Sequence, residues 1–170
     1  PIWRDDPGKI VEDYDRWSRQ EAEPGVVLVY ASMYGNTGTM MEAVARGIAT
    51  EDFSRIRIHD ISRSHVSYVI RDAWRYKGLI LGSPTYDMML FPPMDQFIQM
   101  LERKRVSNRI LGLFGTYGWS GGGVKTLTAF AEKGDWDLVE PVVEAKCSPT
   151  AEDLEKCGDL ARAMVARLRG

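Results

Sequence analysis

Val26-Val27-Leu28-Val29-Tyr30-Ala31 runs directly into Ser32-Met33-Tyr34-Gly35-Asn36-Thr37-Gly38, and that loop into Met40, Met41, Val44, Ala45 and Ile48 at helical spacing. The first stretch is a continuous apolar, β-branched run between turn residues, the pattern of a strand covered on both faces in a parallel sheet. The last is one apolar face of a helix. Strand, tight polar loop and helix in that order make half of a βαβ unit.

Outward from this unit the alternation repeats. Arg55–Ile61 reads as a second strand, with a helix near Ser67–Tyr76, and Gly78–Gly82 reads as a fully apolar third strand. Pro92 and Pro93 open a helix whose core face is Met94, Phe97, Ile98 and Leu101. Ile110–Phe114 makes a fourth strand, Gly122–Glu132 a helix, Leu138–Ala145 a fifth strand, and Pro149–Arg169 a last helix capped by Thr150. Upstream, Asp6 as N-cap, Pro7 at the first helical position, and Ile10, Tyr14 and Trp17 signal a further helix, which Glu23-Pro24-Gly25 ends. Five strands alternating with helices through short links and right-handed crossovers predict an α/β fold, an open parallel sheet with helices on both faces.

Composition narrows the function. At 170 residues the chain suits one domain, large enough to bury roughly two thirds of its unfolded surface. Its 22 basic and 24 acidic residues leave a net charge of −2, so it lacks the broad positive field that nucleic acid or an anionic membrane surface would require. Any phosphate it binds must be met locally. Cys147 and Cys157 form no C-x-x-C pair and have no His at zinc spacing, and are expected as reduced structural thiols. His59 and His65 are expected at the surface. No apolar run approaches the ~20 residues that cross a bilayer, and no signal pattern opens the chain, so the expected location is cytoplasmic.

In such sheets ligands lie outside the carboxyl ends of the strands, where the strand order reverses. Three loops fall there. After the first strand, Ser32–Gly38 enters a helix N-terminus, where free backbone N–H groups, the helix dipole and the Ser32, Asn36 and Thr37 side chains would cradle a phosphate without any Lys or Arg. A nucleoside triphosphate loop would carry Lys where Asn36 stands, so one terminal phosphate is expected. Ser and Thr at this position also serve as plain N-caps. After the third strand, Ser83-Pro84-Thr85-Tyr86-Asp87-Met88-Met89-Leu90-Phe91 exposes large apolar groups. After the fourth, Thr116-Tyr117-Gly118-Trp119-Ser120-Gly121 sets two aromatics among glycines that allow close backbone approach. The ligand implied has a phosphate at one end and a flat aromatic system at the other.

The three loops resemble the FMN-binding loops of flavodoxin-like domains over essentially the whole chain from Pro24 onward, and in particular those of flavodiiron proteins (A-type flavoproteins), where S-M-Y-G-N-T, S-P-T-Y and T-Y-G-W-S-G-G recur. The resemblance implies a three-layer sandwich with a five-stranded parallel sheet of order 2-1-3-4-5. It implies FMN with Ser32, Met33, Tyr34, Gly35, Asn36 and Thr37 around its phosphate, and Pro84, Thr85, Tyr86 and Asp87 along the ribityl chain and one side of the ring. Thr116, Tyr117, Gly118 and Trp119 would bound the other side, with Ser120 and Gly121 shaping the turn. It further implies that residues 1–24 are a linker with a short helix and 25–170 the FMN-binding domain, the C-terminal part of a longer protein. Electrons would come from a small donor such as rubredoxin or an NADH-linked reductase and pass to a metallo-β-lactamase-like diiron domain, in a homodimer. A slot without nearby cations, Lys125 excepted, would disfavour added negative charge on the flavin, and Trp119, Tyr86 and Met88–Leu90 would pack on it. The competing readings are a free-standing flavodoxin or an FMN-dependent NAD(P)H:quinone reductase. A phosphatase or a response regulator fits poorly, since Cys147 has Asp153 rather than Arg six positions on, and Ser32 and Ser83 stand where acidic residues would be needed.

Overall fold

The structure, a computed structural model, describes residues 5–170, so the Pro1–Arg4 opening with Trp3 lies outside the described residues. Helix α1 (Pro7–Ser18) starts as anticipated: Pro7 is its first residue and the Asp6 carboxylate accepts from the Lys9 amide. None of its residues is buried.

Strand β1 (Glu23–Tyr30) begins three residues before the apolar run, because Glu23 already pairs with Tyr76 across an irregularity that ends at Val26. It lies parallel to β2 (Ile56–Asp60) on one side and β3 (Tyr76–Tyr86) on the other. Strand β5 (Arg109–Tyr117) continues the sheet beyond β3, again parallel. The expected fifth strand is two pieces in series, β6 (Trp136–Leu138) and β7 (Val143–Lys146), each pairing with β5. The break has a local cause. Pro141 offers no N–H to the ladder, and the Val142 amide turns to the Glu140 carboxylate (2.8 Å). A two-residue strand, β4 (Met89–Leu90), folds back on β3 as a hairpin that periodicity did not foreshadow. The strand order is therefore 2-1-3-5, with β6 and β7 sharing the last position. That is the anticipated topology.

Two cores explain the both-face apolar strands. Val27, Val29, Leu79, Leu81, Leu111 and Leu113 point to a layer formed by α3 (Val66–Arg75), α4 (Pro92–Arg103) and α5 (Gly123–Lys133). Val26, Leu28, Ile80, Ile110 and Phe114 point to α2 (Asn36–Thr50) and α6 (Ala151–Arg169). Thr150 and Asp153 form a reciprocal capping box on α6. Cys157 sits in this second core as a free thiol, pushed up to about 12 by burial.

His59 corrects an expectation. It is not a surface residue: its imidazole is mostly covered and meets the buried Asp72 carboxylate at 2.9 Å, tying edge strand β2 to α3. His65 is the α3 N-cap, its Nδ1 accepting from the Ser67 amide.

The amino end of the sheet is organised around Arg109, only 1% exposed. Its guanidinium donates to the carbonyls of Ala73 (3.2 Å), Trp74 (2.8 Å), Gln20 (3.0 Å), Ser107 (2.7 Å) and Asn108 (3.2 Å). Burial pushes it down to about 10, so it remains a cation at neutral pH. Two of its acceptors belong to the last turn of α3, where free carbonyls carry the negative end of the helix dipole. The Gln20 side chain adds bonds to Arg105 and Ser107, which fastens the α1–β1 connection to the same cluster.

Arg109→Lys keeps the charge but cannot span the same acceptors. It should cost about 2–4 kcal/mol in urea unfolding; a loss below about 1 kcal/mol would mean that the carbonyl cage is dispensable. For Asp72, burial pushes the carboxyl up, but the hydrogen bonds from His59 and Arg71 outweigh it and hold it below its ordinary 3.8. A folded value below the unfolded one gives stabilisation that is present above the unfolded value and lost as pH falls through the folded one. Asp72→Asn should therefore lower stability at neutral pH and flatten the loss below about pH 4, read from urea midpoints across that range.

Candidate functional site

Because β1, β3 and β5 are parallel, their carboxyl ends and the loops that follow them share one edge. Tyr30 pairs with Gly82 and Pro84 with Thr116, so the three loops leave the sheet side by side. Between them lies a cavity of about 580 Å³, within the usual range for a bound small molecule.

The first wall is the β1–α2 loop. Gly35 takes a φ of +90° at the α2 N-cap, a conformation that disfavours other residues, and has no side chain to cap the helix. Ser32 takes over that task, its hydroxyl oxygen accepting from the amides of Gly35 (3.1 Å) and Gly38 (3.3 Å). Its own proton stays available. Among the described residues, the amides of Asn36 and Thr37 meet no acceptor. The Asn36 carboxamide oxygen accepts from Ser148 (3.4 Å), which leaves its NH₂ group free. Backbone and side-chain donors thus gather at a helix N-terminus, the chemistry of an anion site.

The second wall is the β3–β4 hairpin. Asp87 and Met88 form its two-residue turn with φ of 48° and 60°, the positive angles of a type I′ turn. The hairpin is held on the start of α5. Thr85 accepts from the Gly123 amide (2.9 Å), and a Cβ at Gly122 would lie 2.0 Å from the Met88 carbonyl oxygen. Tyr86 rests edge-on against Phe91. Leu90 is buried in the core, so of the expected Met88–Leu90 stretch only Met88 lines the cavity.

The third wall is the loop after β5. Thr116 is buried and its hydroxyl meets that of Thr37 at 2.8 Å, joining the first wall to the third. Tyr117, Gly118, Trp119 and Ser120 complete this side. Trp119 is 97% exposed and Tyr34 88%, so two large rings stand at the mouth without packing partners.

Of the residues singled out from sequence, Met33, Tyr34, Asn36, Thr37, Pro84, Thr85, Tyr86, Asp87, Thr116, Tyr117, Gly118, Trp119 and Ser120 line this one cavity. Ser32, Gly35 and Gly121 stand behind it, the first two shaping the cradle and Gly121 close to the Glu144 carboxylate. Cys147, expected only as a structural thiol, is instead exposed at the site, and Ser148 carried no expectation. Cys147 lines the cavity with a φ of 59°, its amide bonded to the Tyr117 carbonyl (2.7 Å). Both follow β7, which the break at Pro141 sets apart from β6. Among the described lining residues no Lys or Arg occurs; Lys125 is exposed on α5 outside the cavity.

Fold and site together define a doubly wound α/β domain with a ligand cleft at the carboxyl edge of its sheet. The chain belongs to the flavodoxin family, which matches residues 28–159. It is 30% identical over 162 residues to an anaerobic nitric oxide reductase flavorubredoxin of Escherichia coli, covering 95% of this chain and 34% of that protein. The chain thus spans about a third of the length of this curated relative. Among solved structures, rubredoxin oxygen:oxidoreductase from Desulfovibrio gigas superimposes with a TM-score of 0.88 at 26% identity, over 95% of this chain and 40% of that one. An archaeal flavodoxin superimposes with a TM-score of 0.76 at 23% identity, over 86% and 99%, a likeness of fold.

Met88 holds a left-handed conformation that costs a side-chain-bearing residue about 1 kcal/mol more than glycine. Met88→Gly should raise the thermal midpoint of the ligand-free chain by about 2–4 °C. A fall would show that the Met88 side chain contributes more by packing than its backbone costs.

Proposed function

We propose that this chain is an FMN-binding electron-transfer domain. The observation that carries the reading is the joining of two unlike surfaces in one cavity, a cradle of neutral hydrogen-bond donors at the α2 N-terminus and a slot edged by exposed aromatic and thioether side chains. The donor set fits a phosphate monoester, and the rings of Tyr86 and Trp119 fit a planar heterocycle.

When bound, FMN would supply reversible one- and two-electron chemistry. The chain's own part is binding and orientation. Ser32, Asn36 and Thr37, with the free amides of α2, hold the phosphate. Pro84, Thr85 and Tyr86 flank one side of the ligand, Thr116 to Trp119 the other, and Asp87 and Met88 form the turn at its edge. Thr37 is buried at the floor of the cradle, while the exposed Trp119 and Met88 would leave one edge within reach of a redox partner.

The relatives favour a place in a flavodiiron-type protein. On that reading residues 1–24 link this domain, 25–170, to a metallo-β-lactamase-like diiron domain outside this sequence. The names of the Escherichia coli and Desulfovibrio gigas proteins support a rubredoxin-type donor and nitric oxide or dioxygen as terminal acceptor. A homodimer belongs to the same reading. A free-standing flavodoxin is the second reading, favoured by the near-complete coverage of the archaeal flavodoxin. Among the described residues no helix is long and apolar enough to cross a membrane, and no cluster of ligands could hold a metal ion.

The visible absorption spectrum with added FMN tests the reading. A bound flavin should show bands near roughly 375 and 450 nm and quench the tryptophan fluorescence, Trp119 being at the cavity mouth. A colourless protein with unquenched fluorescence in excess FMN would remove the assignment.

A further inference from the structure

Thr37 and Thr116 come from different loops, and both are buried, 1% and 6% exposed. Their hydroxyl oxygens lie 2.8 Å apart, and both residues line the cavity. Counting protons gives this contact a consequence. Two hydroxyls carry two protons, and the hydrogen bond between them uses one. Among the described residues neither oxygen has a second partner, so one buried O–H is left without an acceptor whichever way the bond is drawn. A buried donor without an acceptor is costly, and the cavity that both residues line is a side from which an acceptor can come.

The bond can run in two directions. If Thr37 donates to Thr116, the spare proton sits on the third wall. If Thr116 donates to Thr37, the spare proton sits on Thr37, beside the free amides of Asn36 and Thr37 itself. An anion at the α2 N-terminus selects the second arrangement, because it draws the Thr37 proton toward itself and leaves the Thr37 oxygen to accept from Thr116. Thr116 is well placed for that part. It lies on β5 between Pro84 of β3 and Ala145 of β7, paired on both sides, so its hydroxyl is held by the sheet rather than by a loose loop.

Resting on the FMN reading above, we propose that Thr116 is a positioning residue for the phosphate end of the ligand, although its loop lies on the ring side. Its hydroxyl donates to Thr37 and so orients the Thr37 hydroxyl as a donor to the phosphate.

The test compares FMN with riboflavin, which lacks the phosphate, by fluorescence titration of the full chain freed of flavin. Thr116→Val keeps the shape and removes the donor. It should weaken FMN roughly five- to tenfold and riboflavin by less than about twofold. Thr116→Ser should restore FMN binding. Thr37→Val should show the same selective loss, and the double variant should be no worse than Thr37→Val alone, since Thr116 acts through Thr37. Equal losses for both flavins would mean that Thr116 only packs against the ring side, and multiplicative losses in the double variant would mean that the two act separately; either overturns the proposal. Unchanged FMN binding in Thr116→Val overturns it as well. Should Thr116→Val fail to fold, the comparison of Thr37→Val with Thr37→Ser in the presence of Thr116→Ser reads the same selectivity, and a loss shared by both flavins has the same meaning. Failure of the unaltered chain to bind FMN would instead overturn the functional reading beneath it.

Discussion

Every feature of the site depends on the parallel pairing of β3 with both β1 and β5. Antiparallel neighbours would send successive loops to opposite edges of the sheet, whereas parallel neighbours require a crossover and bring each following loop back to the same edge. The register then sets the height at which the loops leave. With Tyr30 level with Gly82, and Pro84 level with Thr116, the α2 N-terminus, the hairpin and the Tyr117–Ser120 loop face one another. The Thr37–Thr116 hydrogen bond is possible only because of that alignment, across 79 positions of sequence. Two apolar layers, one on each face, keep the central strands from sliding, since a one-residue slip would exchange the residues meant for one core with those meant for the other.

The opposite edge shows the complementary solution. At the carboxyl edge the free groups are helix N-terminal amides, which call for an anion from outside. At the amino edge they are carbonyls, those of Ala73 and Trp74 at the end of α3 and those of the 107–108 turn, and the chain supplies its own cation in Arg109. One edge is thus completed internally and stays closed, while the other keeps donors to spare. That asymmetry separates the structural end of the domain from its functional end. It also explains how a charge can be buried without a carboxylate partner: several oriented carbonyl dipoles take the place of one negative ion.

Much of this was legible in the sequence because it is local. The apolar runs of β1, β3 and β5, the polar loop before α2, and the glycines after β5 each announce themselves within about ten residues. What escaped notice depends on distant partners. The hairpin turn Asp87-Met88 lacks the glycine that usually marks its geometry, and its Met88 carbonyl lies close against Gly122, far along the chain. Cys147 and Ser148 reach the site because β7 pairs with β5 as far as Tyr117, whose carbonyl accepts from the Cys147 amide. His59 reads as one exposed polar residue on an edge strand until Asp72 arrives from α3. Recognition of the loop motifs supplied the ligand expectation; the composition alone could say only that a phosphate, if bound, must be met locally.

The balance of burial in the cavity bears on how such a domain would work. Thr37 and Thr116 are sealed into the interior, while Tyr34, Met88 and Trp119 stand open at the mouth. A ligand gripped at its charged end by neutral, directional donors gains its specificity from geometry rather than from net charge, because each amide and hydroxyl must find an acceptor oxygen at the right place. Its planar end meets side chains that have little else to pack against, so stacking there adds contact without displacing core. On the proposed FMN reading, a site that holds the phosphate and leaves the ring edge uncovered would meet two requirements at once: the group would stay bound through its oxidation and reduction, and electrons would have a short path to a docked partner.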